Sequence, residues 1–321
     1  MKKILNKTKL IVGFSGKYPE DGEVQQIRDF ILQGQVQGVI IFSHNIEGPG
    51  QLRALTQFFR KANEDIIVAV DQEGGAVQRL RKDNGFTDYP SAKTVSLTLN
   101  YNQAKLLYSK MAQELKSFGI NFNFAPCVDI NPSDLPLSPI IGGLDRSYGS
   151  KFSTILYATA FIEAHKEKGV ETCLKHYPGH GSAQGDTHEG FVDVSGVWRE
   201  EEIDVFKELI QKTDVSGVMS AHISHLKWEN KPATFEKKII QKLKKDYNFT
   251  GTVFCDDLNM GAILEKYTFE EALSNAFSAG IDGFIYSSNI KATGGHSFLT
   301  SLELIPRFWI LLKNNKQQKI K

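Results

Sequence analysis

Short apolar runs rich in β-branched residues recur along the chain at Lys9–Phe14, Gly38–Phe42, Ile66–Val70, Phe122–Ala125, Val170–Leu174, Ser216–Ser220, Thr252–Cys255 and Gly283–Tyr286. They are nearly continuous in hydrophobicity rather than alternating, the pattern of strands buried on both faces. Between them lie segments of helical periodicity: Glu23–Leu32, Gln51–Ala62, Gln103–Phe118, Thr154–Lys168, Glu200–Lys212, Lys237–Lys245, Phe269–Ala279 and Phe298–Leu312. Eight strand-then-helix units predict a parallel sheet closed into a (β/α)8 TIM barrel, with an open doubly wound sheet as the structural alternative. No internal repeat, low-complexity tract or Pro/Ser linker divides the chain, so residues 1–321 are read as a single catalytic domain.

The connections after the third, fourth and fifth strands are long and rich in Gly, Pro, Asn and Asp. In such a barrel, polar residues directly after a strand point into the mouth at its C-terminal end. Those positions hold His44 and Asn45, Asp71, Asp129, Lys175 and His176, His222, and Asp256 and Asp257, more ionisable groups than core packing explains.

Composition narrows the class. Lys and Arg (38) balance Asp and Glu (37), and the one basic tract is the tail Lys316–Lys321, so nucleic acid is not an expected partner. The cysteines Cys127, Cys173 and Cys255 are odd in number and each lies in or beside an apolar run, which points to a reducing compartment and no metal knuckle. The charged start, Met1–Lys9, is followed by only a short apolar run, Leu10–Phe14, too short for a signal peptide, and no stretch reaches the roughly 20 residues of a membrane span. A cytoplasmic enzyme, monomeric and without cofactor, metal or membrane partner, is expected.

The densest chemistry is the loop Lys175–Gly190, with three histidines, a lysine and an aspartate among four glycines. Asp186 and His188 lie two apart, so an extended backbone sets both on one side, where the carboxylate orients the imidazole and favours its protonated form. Such a pair can give a proton to a leaving oxygen and then take one from water. A structural turn with surface histidines is the plain alternative. Asp256 and Asp257 end another strand, and successive side chains there diverge. Asp256 is read as the inward one, able to attack an anomeric carbon or stabilise an oxocarbenium-like centre. Asp257 is read as turning to the wall or capping a helix. In Val70–Leu80, Asp71 offers an acceptor for sugar hydroxyls and Arg79 a fixed donor.

In this order, Asp-Gln-Glu-Gly-Gly from Asp71, Ala-Pro-Cys-Val-Asp ending at Asp129, Arg-Ser-Tyr-Gly from Arg146, Lys-His-Tyr-Pro-Gly-His-Gly from Lys175 with Asp-Thr-His from Asp186, and Asp-Asp-Leu-Asn-Met from Asp256 resemble glycoside hydrolase family 3, and within it the bacterial β-N-acetylhexosaminidases. The resemblance implies a retaining mechanism with Asp256 as nucleophile and His188, assisted by Asp186, as acid and then base. It also implies that Asp71, Arg79, Arg146, Lys175 and His176 bind a terminal N-acetylglucosamine, and that the substrate is a small amino sugar or a muropeptide from cell-wall recycling. Three features are set against the pattern: Ala76 stands where an arginine usually follows the two glycines, Ile141–Asp145 lengthens the lead into Arg146, and no second domain is expected after the barrel, as in the short bacterial form.

Rival readings use the same residues. His176, His180, Asp186 and His188 offer metal-ligand types for a metal-dependent barrel hydrolase, although metal barrels draw ligands from several strand ends. A β-glucosidase, a non-catalytic sugar-binding barrel, a phosphorylase passing the sugar to phosphate, and substrate-assisted catalysis by the acetamido group complete the set.

Overall fold

In the computed structural model, which describes residues 8–229 and 231–318, the eight apolar runs pair side by side into a closed parallel barrel. Its strands are β1 (Lys9–Val12), β2 (Gly38–Ile41), β3 (Ile67–Val70), β4 (Phe122–Asn123), β5 (Glu171–Tyr177), β6 (Gly217–Ser220), β7 (Thr252–Cys255) and β8 (Gly283–Tyr286). The ring closes where Leu10 of β1 faces Phe284 of β8, which removes the edges that the open-sheet alternative would leave. The main helices are α1 (Gly22–Leu32), α2 (Pro49–Ala62), α3 (Tyr101–Ser117), α4 (Lys151–Glu167), α5 (Glu200–Lys212), α6 (Lys237–Lys245), α7 (Phe269–Ala279) and α8 (Ser301–Gln318), with short helical turns at Ala92–Thr98 and Gly261–Leu264. Residues 1–7 of the charged start and residues 319–321 of the basic tail lie outside the described residues.

The strands are buried on both sides for two reasons. One set of side chains, including Val39, Val68, Val218 and Val253, packs outward under the helices. The alternate set, Ile11, Ile40, Ala69, Phe122, Phe124, Cys173, Met219, Phe254 and Ile285, fills the barrel interior. The Phe254 ring is admitted by glycines on both neighbouring strands: a Cβ at Gly283 would stand 2.2 Å from it and one at Gly217 3.1 Å.

Four differences from the periodicity have local causes. Strand β5 runs past Leu174 through Lys175, His176 and Tyr177, because Lys175 and His176 are buried and paired rather than solvated. Strand β4 is only two residues long, and the chain then turns through Ala125–Pro126. Helix α8 begins at Ser301 rather than Phe298, since Thr300 donates both its N–H and hydroxyl to Glu303 and fixes the start. Val192–Asp193 and Ile223–Ser224 form a small parallel pair outside the barrel that periodicity did not indicate. That pair stitches the loops after β5 and β6 together over a satellite core of Ala183, Val194, Trp228 and Ala233. Among the described residues, no helix is long and apolar enough to cross a membrane.

Candidate active site

A cavity of about 340 Å³ opens above the barrel interior, within the size range of small-molecule sites, roughly 300–1,000 Å³. Ile40, Phe42, Met219 and Ile285 from the barrel form its floor. Its wall carries Asp71, Arg79, Arg146, Lys175, His176, Asp186, His188 and Asp256, so residues from widely separated parts of the chain share one cavity.

The deepest charges form a closed network. Lys175 Nζ bridges Asp71 Oδ1 at 2.8 Å and Glu73 Oε1 at 2.6 Å. Arg79 donates to the other Asp71 oxygen at 3.0 Å and lies over the Phe42 ring. Arg146 grips Glu73 with two bonds, Nε to Oε2 at 2.9 Å and Nη2 to Oε1 at 2.8 Å. Burial works against both carboxylates, but Lys175 and Arg79 hold Asp71 well below the usual carboxylate range, and Arg146 and Lys175 bring Glu73 to about 2. Burial likewise works against the Lys175 charge, and the same two carboxylates keep its ammonium above its ordinary value. The network stays ionised in spite of its depth and presents fixed donors and acceptors to a hydroxylated ligand.

Asp129 anchors the histidine loop. It accepts His176 Nδ1–H at 2.7 Å, the backbone N–H of His176 at 3.2 Å and that of His180 at 2.8 Å. Burial is outweighed by His176 and His180, and its carboxyl falls to about 2. Beyond Gly181 the chain crosses to Asp186, whose Oδ1 accepts both Nδ1–H (2.6 Å) and the backbone N–H (2.8 Å) of His188. His188 Nε2 is thereby left for chemistry. Desolvation would lower the His188 pKa, but Asp186 and then Asp256 raise it above the ordinary histidine value. Burial would raise Asp186; the bond to His188 takes it lower instead. The tip of the loop is seated as well: Ala262 N–H donates to Thr187 O, and a Cβ at Gly261 would stand 2.5 Å from His188 O. The loop is packed at root and tip, which the glycine-rich sequence did not announce.

Asp256 and Asp257 diverge. Asp256 takes only its neighbour's N–H, on Oδ1 at 2.8 Å, and among the described residues Oδ2 has no hydrogen bond. Burial would raise its pKa; His176, His222 and His188 hold it below the carboxylate value. Asp257 caps no helix, contrary to one expectation. It accepts the Ser287 hydroxyl and N–H and the Asn259 N–H, tying the loop after β8 to β7, and burial pushes its carboxyl to about 6.

Other strand-end residues serve the scaffold. His44 and Asn45 bond to Phe14 O, and His222 spans Thr234 Oγ1 and Asp257 O; none of the three lines the cavity. Ala76 is exposed in a turn, off the cavity. The lengthened Ile141–Asp145 coils back on itself: Arg146 N–H donates to Ile141 O and Asp145 N–H to Gly142 O, which returns Arg146 to the site. Two carboxylates were missed, Glu73 inside the motif starting at Asp71, and Glu202 at the start of α5, which bonds the loop backbone. The glycines after Glu73 signalled close packing, but its partner Arg146 lies far along the sequence. Among the described residues, the group with metal-ligand spacing is Cys127, Asp129 and His176, not the set of His176, His180, Asp186 and His188. There His176 Nδ1 is committed to Asp129 and Arg146 stands 3.4 Å from Nε2, a poor setting for another cation.

The profile described as the glycosyl hydrolase family 3 N-terminal domain matches residues 14–301. A β-hexosaminidase of Tolumonas auensis is 34% identical over 272 residues, 82% of this chain and 78% of that protein. A family 3 β-N-acetylglucosaminidase from Paenibacillus sp. FPU-7 superposes with a TM-score of 0.79 at 28% identity, over 100% of this chain but 62% of that one, less than two thirds of its length. A β-N-acetylhexosaminidase from Beutenbergia cavernae shares the fold with a TM-score of 0.80, at 24% identity over 98% and 96% of the two chains. The barrel, the cavity at its C-terminal mouth and these relationships lead to one conclusion: the chain belongs to glycosyl hydrolase family 3 and is a glycoside hydrolase.

Proposed function

We propose that the protein is a retaining exo-β-N-acetylglucosaminidase, a single catalytic barrel that removes terminal β-linked N-acetylglucosamine from peptidoglycan-derived muropeptides in the cytoplasm. The observation that carries the reading is the oriented Asp186–His188 pair on the same cavity wall set as Asp256, whose Oδ2 is unbonded among the described residues. The printed names of the relatives supply the amino-sugar class, and the three buried free thiols support a reducing compartment.

In the first step Asp256 Oδ2 attacks C1 of the terminal sugar while the C1–O bond to the aglycone breaks, and His188 Nε2–H passes its proton to the departing oxygen. In the second, neutral His188 takes a proton from water, the water oxygen attacks C1 and the Asp256 ester bond breaks. Asp71, Arg79, Arg146, Lys175 and His176 hold the sugar; their ion pairs with one another, with Glu73 and with Asp129 keep them in place before it arrives, so little ordering remains for binding.

Comparing an aryl β-N-acetylglucosaminide with the matching aryl β-glucoside tests the substrate class. A kcat/KM at least about 100-fold higher for the amino sugar is expected. Preference for the glucoside would overturn the reading.

A further inference from the structure

Glu202 is the third residue of α5, outside the cavity, yet the residue is 1% exposed and among the described residues no cation pairs with it. Its Oε1 accepts the N–H of Arg199 at 3.2 Å, closing the start of its own helix. Its Oε2 turns to the histidine loop and accepts the N–H of Gly181 at 2.9 Å and of Ser182 at 3.2 Å. The preceding N–H, of His180, ends on Asp129, so three successive amides at the loop root are shared between two carboxylates on different elements.

Packing repeats the message. A Cβ at Gly179 would stand 2.3 Å from Glu202 Cβ, and one at Gly181 would stand 1.7 Å from Ile130 O. The loop root is wedged between the segment after β4 and the first turn of α5, four residues before Asp186. An acceptor for the helix start is ordinarily found at the surface, where a carboxylate is solvated. Here burial pushes the Glu202 carboxyl to about 7, with Asp129 adding to the rise. A group kept at that disadvantage is explained by what its inner oxygen holds.

We propose that Glu202 is a positioning residue for the acid/base pair: by fixing the Gly181–Ser182 backbone it sets where Asp186 and His188 stand over the cavity. The inference rests on the proton-transfer role given to His188 above. Displacing a proton donor by about an ångström costs on the order of 100-fold, and only where the leaving oxygen needs the proton.

The test is leaving-group dependence. For Glu202→Leu, kcat/KM should fall roughly 30- to 100-fold on N-acetylglucosaminides with alkyl or sugar aglycones and by no more than about threefold on a nitrophenyl glycoside. Glu202→Gln can keep an oxygen toward the loop and should restore most of that loss. Gly179→Ala presses on the contact from the loop side and should reproduce the selective loss if Glu202→Leu does not fold. Equal losses on both substrates, or no rescue by Gln, would overturn the assignment. His188→Ala measured in parallel separates the two readings: if it is selective and the Glu202 variants are not, only the positioning role fails, and if it is unselective the acid role fails and the positioning role with it.

Discussion

At the residue scale, the pairing of His188 with Asp186 makes distinct claims about rate and pH. His188→Ala should cost about 100-fold or more on poor leaving groups and much less on activated aryl glycosides, read from steady-state kcat/KM. Equal losses would count against a proton donor. The sign of the pH effect follows from the raised His188 value. In the proposed first step the acid form acts, so kcat/KM should fall as pH rises through the His188 pKa. Asp186→Asn removes the larger of the two contributions that raise it, and the alkaline limb should move to lower pH; an unmoved limb would contradict the arrangement. The two-residue spacing made this pair legible in the sequence, since both partners lie on one short segment. Glu73 was not legible, because its meaning depends on Arg146 and Lys175, which only the closed barrel brings to it.

At the scale of elements, β3, β5 and the segment before α4 are joined by the Asp71–Lys175–Glu73–Arg146 network. Lys175→Met leaves Asp71 and Glu73 buried with fewer partners and should lower stability by about 3–5 kcal/mol, measured by urea denaturation. Adding Glu73→Gln should cost less than the two single losses added together, because Lys175 and Glu73 lose the same ion pair; strict additivity would show that the groups do not act as a unit. The same network, with Asp129, explains why β5 runs three residues past its apolar run: polar residues ordinarily end a buried strand, and here Lys175 and His176 continue it because each has a partner. Helices α5, α6 and α7 carried their boundaries in their own periodicity. The pairing of 192–193 with 223–224 joins two loops, and neither segment has a pattern that reveals the other.

For the whole molecule, the number of strands and their closure followed from eight apolar runs alternating with helical segments, and the interior packing followed from closure. Phe254 meets Phe122 and Phe124 at centroid separations of 5.4 and 5.3 Å and sits against Gly283 and Gly217. Phe254→Ala should therefore destabilise the barrel by about 3–5 kcal/mol in equilibrium unfolding. A change under 1 kcal/mol would mean that the interior collapses onto the void. Which strand-end residues enter the cavity was only partly legible: His44, Asn45 and His222 occupy the same positions in the pattern as Asp71 and Asp256 but bond to backbone and hydroxyl groups of neighbouring loops. The central claim joins fold to chemistry, since only closure places Asp256 on a cavity shared with His188. It is tested most directly by incubating the protein with a slow 5-fluoro N-acetylglucosaminyl fluoride and mapping the labelled peptide by mass spectrometry. One 5-fluoro-N-acetylhexosaminyl adduct on Asp256, absent from Asp256→Ala, is the predicted result; turnover without an adduct, or an adduct on another residue, would contradict it.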